Sequence, residues 1–367
     1  MTYQELLQLV ALARLDIQGH SVIPVVQHIG SVHDAFESNA RALRTAGAQP
    51  KLIKAIHTIA RHGNLTDEKE LLEIHDVTAI PWTDDRYPCA LRDIPDKPAV
   101  IFTRGDLSPL SQPTFAVVGT RKMTRYGESV TRDLVRSLTS AGATIVSGLA
   151  LGIDAVAHGA ALESHGKTVA ILGSGIDTPT VGPRQNVPIA AHILASGGAL
   201  ISEYPPTVPG AKHRFPQRNR IIAGVARATA VIQAPARSGA LITARACLEY
   251  GRDVFAIPGP ITEAAHTGSN ALIASGAIPI CEIHDMRDYY GLMDTKPVQL
   301  RSFSVQEHAI LNALEEGVQT IDGLAKYTAL DATVILSLLT ILELDTIVSR
   351  VGERFRMIDK RIRSPLP

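Results

Sequence analysis

Phe115-Ala-Val-Val-Gly-Thr-Arg121 is a short apolar run that stops at a glycine and an arginine, and after Tyr126-Gly127 it gives way to an amphipathic pattern from Glu128 to Leu138. That order is strand, loop, helix. It recurs at Ala143 to Val146 with Ser147-Gly148 and Gly152-Ile153-Asp154, and at Thr168 to Leu172 with Gly173-Ser174-Gly175. Ala199 to Ser202, Thr229 to Gln233 followed by Ser238-Gly239-Ala240, and Asp253 to Ile257 followed by Pro258-Gly259 continue it. Near-continuous apolar strands alternating with helices predict an α/β fold, a Rossmann-like, mostly parallel sheet with helices on both faces. Such sheets bind ligands beyond the carboxyl ends of their strands.

The glycine spacing narrows the ligand. No G-x-G-x-x-G lies between Gly119 and Gly127, where Gly119-Thr120 is followed by Arg121, and no G-x-x-x-x-G-K-[ST] occurs. Dinucleotide and P-loop chemistry are therefore excluded. What remains is backbone N–H groups at loop-to-helix junctions, with Arg121 able to grip a phosphate bidentately.

Charge is balanced overall but not along the chain. Lys+Arg and Asp+Glu are both 36 in 367 residues, a length that predicts two or three domains. From Tyr204 to Arg252, Lys212, Arg214, Arg218, Arg220, Arg227, Arg237, Arg245 and Arg252 face the single acid Glu249; Asn64 to Asp96 is acidic. A basic stripe in a neutral protein suits a polyanion, with solvated helix faces as the competing reading.

Cys89, Cys247 and Cys281 show no C-x-x-C or zinc spacing, so no metal or other cofactor is expected, and a reducing, cytoplasmic setting follows. His158 and His213 read as packed or polar residues. Met1 to Leu15 lacks a signal-peptide pattern, and no apolar run approaches the about 20 residues that span a bilayer, so no membrane partner is expected.

The chain divides into a helical segment at 1–75, the sheet domain at 76–288, a polar linker at 289–302 and a C-terminal domain at 303–367. The first segment has turns at Gly19, Gly30 and Gly47 and basic residues Arg41, Arg44, Lys51 and Lys54, compatible with a degenerate helix-hairpin-helix or SAM-like bundle in which packing takes precedence over binding. In the last, Ser304, Thr320 and Asp331 are caps for helices ending near Glu315, Tyr327 and Leu344, with a hairpin after them. This is a winged-helix pattern. Its third helix, Asp331 to Asp345, has no Lys or Arg, so it reads as a protein-interaction or packing module rather than a DNA reader.

Val118-Gly-Thr-Arg121, Ser147-Gly-Leu-Ala-Leu-Gly-Ile-Asp154, Ser202-Glu-Tyr-Pro205, Phe215-Pro-Gln-Arg-Asn-Arg220, Ser238-Gly-Ala-Leu-Ile-Thr243 and Pro258-Gly259 resemble, in order and spacing, the DNA-processing protein DprA (Smf) family. The resemblance covers most of Ala99 to Ile280. It implies a bacterial single-stranded-DNA-binding protein, not an enzyme, that forms homodimers and loads RecA onto incoming strands in natural transformation. Two departures stand out. Thr180-Val-Gly-Pro-Arg-Gln-Asn186 keeps the asparagine of a Tyr-Pro-x-x-Asn element but not the tyrosine, and Gln233 stands where a glutamate is common.

Both readings put one DNA-binding pocket at the carboxyl edge, made of Gly119, Thr120 and Arg121, Ser147 and Gly148, Gly173, Ser174 and Gly175, Lys212, Arg214, Phe215, Arg218, Asn219 and Arg220, and Ser238 with Gly239. Phosphates would lie on arginines and amides, and a base on Phe215, which reads equally as core. Asp154 reads as a helix N-cap before a catalytic acid. Arg218 and Arg220 flank a helix expected over 221–225, where one is open to a structural ion pair. The competing class is a nucleotide-binding or nucleotide-hydrolysing Rossmann-like enzyme related to phosphoribohydrolases. Pro235 to Thr243 stands where those carry a glycine-rich motif, without its general acid–base carboxylate. A nucleotide sensor with a winged-helix output is a third reading.

Overall fold

In the computed structural model of the chain, residues 1–293, 303–344 and 347–357 are described. They form two compact units, Met1–Thr295 and Lys296–Pro367.

The first unit opens with α1 (Tyr3–Arg14), α2 (Gly19–Ile29), α3 (Val32–Glu37), α4 (Ala40–Thr45), α5 (Pro50–His62) and α6 (Leu65–Ile74). Thr2 and Glu5 close a reciprocal capping box at the start of α1. Gly30 and Gly47 make turns at φ 125° and 87°, but Gly19 does not. It begins α2, and a Cβ there would lie 2.1 Å from the Lys97 carbonyl oxygen. Close approach of two backbones, not a turn, requires that glycine.

Then come β1 (Thr78–Pro81), α7 (Cys89–Arg92), β2 (Val100–Gly105), β3 (Thr114–Val118), α8 (Arg125–Ser140), β4 (Thr144–Ser147), α9 (Ile153–Glu163), β5 (Lys167–Leu172), α10 (Val187–Ala195), β6 (Ala199–Ser202), α11 (Arg214–Val225), β7 (Ala228–Val231), α12 (Gly239–Glu249), β8 (Asp253–Ala256), α13 (Thr267–Ala274), β9 (Ile278–Pro279) and α14 (Asp285–Tyr289). The strands form one sheet in the order β1-β2-β6-β5-β4-β3-β7-β8-β9. All pairs from β6 through β9 are parallel, and the β1–β2 hairpin adds to β6 antiparallel.

Strand period assigns the two faces. Phe115 and Val117 of β3 pack with α8 and α9, while Ala116 and Val118 pack with α11 and α12. The N-terminal helices share a third core with the sheet, in which Leu9, Leu12 and Leu52 join Phe102, Leu172 and Leu200. The segment expected to link the units contributes its first residues to the sheet unit: Tyr290 donates to Asp253 Oδ2 at 2.5 Å and stacks 5.3 Å from Phe115. Residues 294–302 lie outside the described residues.

The second unit has α15 (Val305–Glu315), α16 (Ile321–Thr328), α17 (Ala332–Leu344) and the hairpin β10 (Val348–Val351) and β11 (Arg354–Met357), a winged helix. Ser304 and Thr320 cap α15 and α16, and Asp331 accepts from the Thr333 amide at 2.8 Å. Among the described residues no single helix is long and apolar enough to cross a membrane, and no group of His, Cys, Asp or Glu could hold a metal ion.

Candidate nucleic-acid interface

Parallel strands direct the helices that follow them so that the N-termini of α8, α9 and α12 meet the carboxyl edge of the sheet, and their positive dipole ends face whatever binds there. Chain order reverses between β3 and β7, where the Thr120 amide donates to the Gln233 carbonyl at 2.8 Å.

The loop after β4 is the floor of this edge and is held entirely from within. Ser147 Oγ donates to Val117 O at 2.7 Å. Gly148 N–H and Ala150 N–H donate to Asp154 Oδ2 at 3.1 and 3.4 Å. Arg218 Nη1 donates to Gly148 O at 2.6 Å, and Asn186 Nδ2 donates to Leu149 O and Ala150 O at 2.8 and 3.1 Å. Leu149, buried at φ 56°, sits in the left-handed region that side chains avoid, and these bonds offset that cost of about 1–2 kcal/mol. Gly152, at φ 79°, lets the loop close on Thr120, whose carbonyl oxygen would stand 2.3 Å from a Cβ.

The expectation that the Gly148 amide is open to a phosphate is thereby corrected, because Asp154 already occupies it. Asp154 is not the N-cap either. Gly152 holds that position, and Asp154 reaches back from the first turn of α9. Burial pushes its carboxyl up from the usual range, against the pull of Arg218 and the two amides. Arg218, 4% exposed, is pushed down to about 10 by burial, opposed by Asp154 and assisted by Arg121. Beneath them His158 is fully buried against Thr168 at 2.7 Å, and burial with Arg218 nearby holds it down at about 3.

Helix α11 starts at Arg214, seven residues before the expected Ile221. Pro216 is tolerated because it lies in the first turn, where an N–H has no intrahelical acceptor. The helical period then separates the arginines that a loop would have aimed together. Arg218 turns inward to Gly148 and Ile171. Arg220, 7% exposed, pairs with Glu203 at 2.7 and 2.8 Å and with Asp96 at 3.4 Å. Arg214 donates to Pro209 O at 2.6 Å, lies 3.7 Å from Asp16 and covers the Tyr204 ring at 4.8 Å. Arg252 donates to the carbonyls of Ala223, Ala226 and Ala90. Half of the basic stripe is therefore structural.

The cations that face solvent are others. Arg121 is exposed, 5.7 Å from the half-buried Phe215 ring. That ring lies over glycine backbone, with added Cβ atoms at Gly173 and Gly210 only 3.1 and 3.3 Å from it. Lys212 is exposed two residues before the helix. Sequence reasoning left Lys122, Arg125, Arg184 and Arg237 out of the site, yet all are exposed in loops or helix starts on this edge. Arg125 carried a legible signal: a cation in the first turn of a helix opposes the dipole unless an anion compensates it.

The remaining expected residues shape the edge. The missing Cβ of Gly119 accommodates Ile153, and Thr120 Oγ1 accepts from the Lys122 amide at 3.2 Å. Gly175 N–H donates to Val208 O at 2.8 Å, and Ser202 Oγ donates to Ser174 O at 2.6 Å, folding the Gly173–Gly175 turn against the next loop. Asn219 Nδ2 donates to Gly239 O at 3.1 Å while its Oδ1 accepts from Arg218, and Ser238 caps α12. Gln233 is spent on α8: its Oε1 accepts from the Thr124 amide at 3.0 Å, and its Nε2 donates to Thr124 Oγ1 at 2.8 Å.

Residues 78–291 match the family model described as DNA recombination-mediator protein A, and residues 295–353 match the DprA winged helix domain. The chain is similar to Protein Smf of Escherichia coli, at 45% identity over 203 residues that take in 55% of this chain and 54% of that protein. Its fold is similar to the X-ray structure of DNA processing protein A from Streptococcus pneumoniae, with a TM-score of 0.64 and 30% identity over 78% of this chain and 95% of that one. It is also similar to DNA processing protein A from Helicobacter pylori, solved for its single-stranded DNA binding mode, with a TM-score of 0.52 and 29% identity over 58% of this chain and 95% of that one.

Proposed function

The chain belongs to the DNA recombination-mediator protein A family, and from that premise we propose that it binds single-stranded DNA along the carboxyl edge of its sheet and hands the strand to the RecA recombinase during uptake and recombination of DNA. The observation that carries this reading is the division of labour at the edge. The loop backbone is satisfied from inside, and Arg121, Lys122, Arg125, Arg184, Lys212 and Arg237, which form no ion pair with the described residues, are left exposed on this edge, Arg121 beside the ring of Phe215. Phosphates attract such cations whatever the sequence, and an unstacked base fits an aromatic ring; a duplex offers the first and withholds the second.

The binding residues of this proposal are Arg121, Lys212 and Phe215 with the added cations, while Arg218, Arg220 and Asn219 shape the site. The reading is of a binding protein, not an enzyme. Asp154 is 6% exposed and its Oδ2 is engaged by two amides, which takes that carboxylate out of proton transfer to a nucleotide. A cytoplasmic homodimer, with residues 76–288 as the DNA-binding domain and 303–367 as a partner-facing one, completes the proposal.

Fluorescence anisotropy with a labelled strand, alone or annealed to its complement, tests it. Tighter binding of the single strand with little dependence on sequence is expected, and equal or tighter binding of the blunt duplex overturns the reading.

A further inference from the structure

The helical hairpin α4–α5 carries a charge pattern that the site at the sheet edge does not use. From Ser38 to Thr66 the chain has no Asp or Glu, while Arg41, Arg44, Lys51, Lys54 and Arg61 all fall there and all are exposed. Their spacing is helical. Lys51, Lys54 and Arg61 follow one another at intervals of three and seven residues, which puts them on one stripe of α5 about 15 Å long. The opposite stripe, Leu52, Ile53, Ala55, Ile56 and Ile59, is buried in the core. On α4, Arg41 and Arg44 stand one turn apart with Leu43 buried between them. No carboxylate of the described residues pairs with any of the five, and Lys51 spends its ammonium on the Asp16 carbonyl at 2.9 Å. The N-cap of α5, Gln49, makes no side-chain cap, so the dipole adds positive potential at the turn between the helices.

That same contact ties the hairpin to the site. Asp16, whose carbonyl holds Lys51, receives His213 at 2.9 Å and lies 3.7 Å from Arg214 through its carboxylate. Lys212 is next in the chain. Contacts thus lead from His213 and Arg214, beside Phe215, through Asp16 to Lys51 at the start of α5.

We propose that the exposed face of the α4–α5 hairpin is a second phosphodiester-backbone contact surface, a track for the single strand where it leaves the sheet-edge site. An acidic protein is the lesser fit, since between Leu15 and Ile74 no large apolar side chain is exposed to anchor a protein contact. A polyanion needs no such anchor. The proposal rests on strand binding at the sheet edge, and its test separates the two.

The triple substitution Arg41→Ala, Arg44→Ala, Lys54→Ala removes three charges from solvent-facing helix positions where alanine is favoured, so the fold is retained, as circular dichroism can verify. Affinities of the full chain are measured across a salt titration with a strand of about six nucleotides and one of about thirty. For the long strand, the triple variant is expected to bind about tenfold or more weakly at low salt and to flatten the slope of log K against log salt by about 2, at roughly 0.7 per lost contact. The short strand is expected to bind it like the unchanged chain, and Lys and Arg exchanged at the three positions should restore the long-strand slope. A folded triple variant with an unchanged long-strand slope overturns the track. Equal losses on both strands also overturn it, since the charges would then act only through general attraction. If the unchanged chain binds neither strand, the sheet-edge reading fails instead.

Discussion

The carboxyl edge of the sheet and the winged helix of the second unit are both architectures that nucleic-acid-binding proteins use, and they expose opposite surfaces. At the sheet edge the loop backbone is locked from inside and cations stand out, with Tyr126 and Leu151 exposed beside them. On α17, Val334, Leu336, Ile341 and Leu344 are exposed and no cation occurs. Among the described residues of that unit the Lys and Arg side chains are Lys326 on α16 and the arginines of the hairpin, where Arg350 donates to Gly352 O at 3.0 Å and Arg356 to Ser349 Oγ at 3.1 Å. An architecture's usual role therefore says less than the charge of its exposed face.

The sharpest way to break the comparison is to disturb the locked layer. Arg218→Met keeps much of the volume but removes the donor to Gly148 and Ile171 and leaves Asp154 buried without its compensating cation. A loss of about 3–5 kcal/mol is expected in urea unfolding of the first unit. Binding should fall with the fold. A variant of unchanged stability with weakened binding would make Arg218 a direct phosphate ligand.

His158 gives the same layer a pH signature. It is held near 3 in the fold, against about 6.5 when unfolded, so the unfolded chain takes up more protons between those values. Its contribution is therefore complete above pH 6.5 and is lost as pH falls toward 3. Comparing the chain with His158→Gln cancels the opposite trend from Asp154. The stability difference should be flat above pH 6.5 and shift against the histidine by about 1.4 kcal/mol per unit below it. A constant difference down to pH 5 would mean that the ring is protonated in the fold.

At the surface the effects move from stability to binding. Arg121→Ala should leave the unfolding midpoint unchanged and weaken single-strand binding about tenfold for every sequence, with the salt slope flattened by about 0.7. Salt-dependent anisotropy checks both numbers. Unaltered binding would place the strand away from β3.

Much of this was legible before any coordinates. The strand-glycine-helix cadence predicts the parallel sheet, and Ser304, Thr320 and Asp331 mark the helices of the winged unit. The shortfall was in the arginines. With the helix expected only over 221–225, Arg214 to Arg220 read as converging on one ligand; once that stretch is helical, the period sends Arg218 inward and Arg220 to Glu203. A carboxylate seventeen residues away is a tertiary fact that no local pattern carries. The Gly148 amide was misassigned for a related reason, since Asp154 was read as a cap for its own helix and not for the preceding loop.

The smallest expected effect tests the other side of the comparison. Removing the chain from about residue 297 takes away the winged unit, and with it the exposed apolar side chains of α17 and the arginines of the hairpin. The first unit keeps its own cores and its full set of sheet-edge cations. Because attraction to phosphate follows the number of neutralising contacts, and α17 offers none, single-strand affinity should stay within a few-fold and the salt slope within about one contact. The hairpin arginines set that upper limit, being partly engaged by the Gly352 carbonyl and by Ser349. A slope flattened by two contacts or more in a truncated chain that still melts cooperatively would mean that the wing grips phosphate, and the division between a DNA-facing sheet edge and a partner-facing winged helix would have to be redrawn.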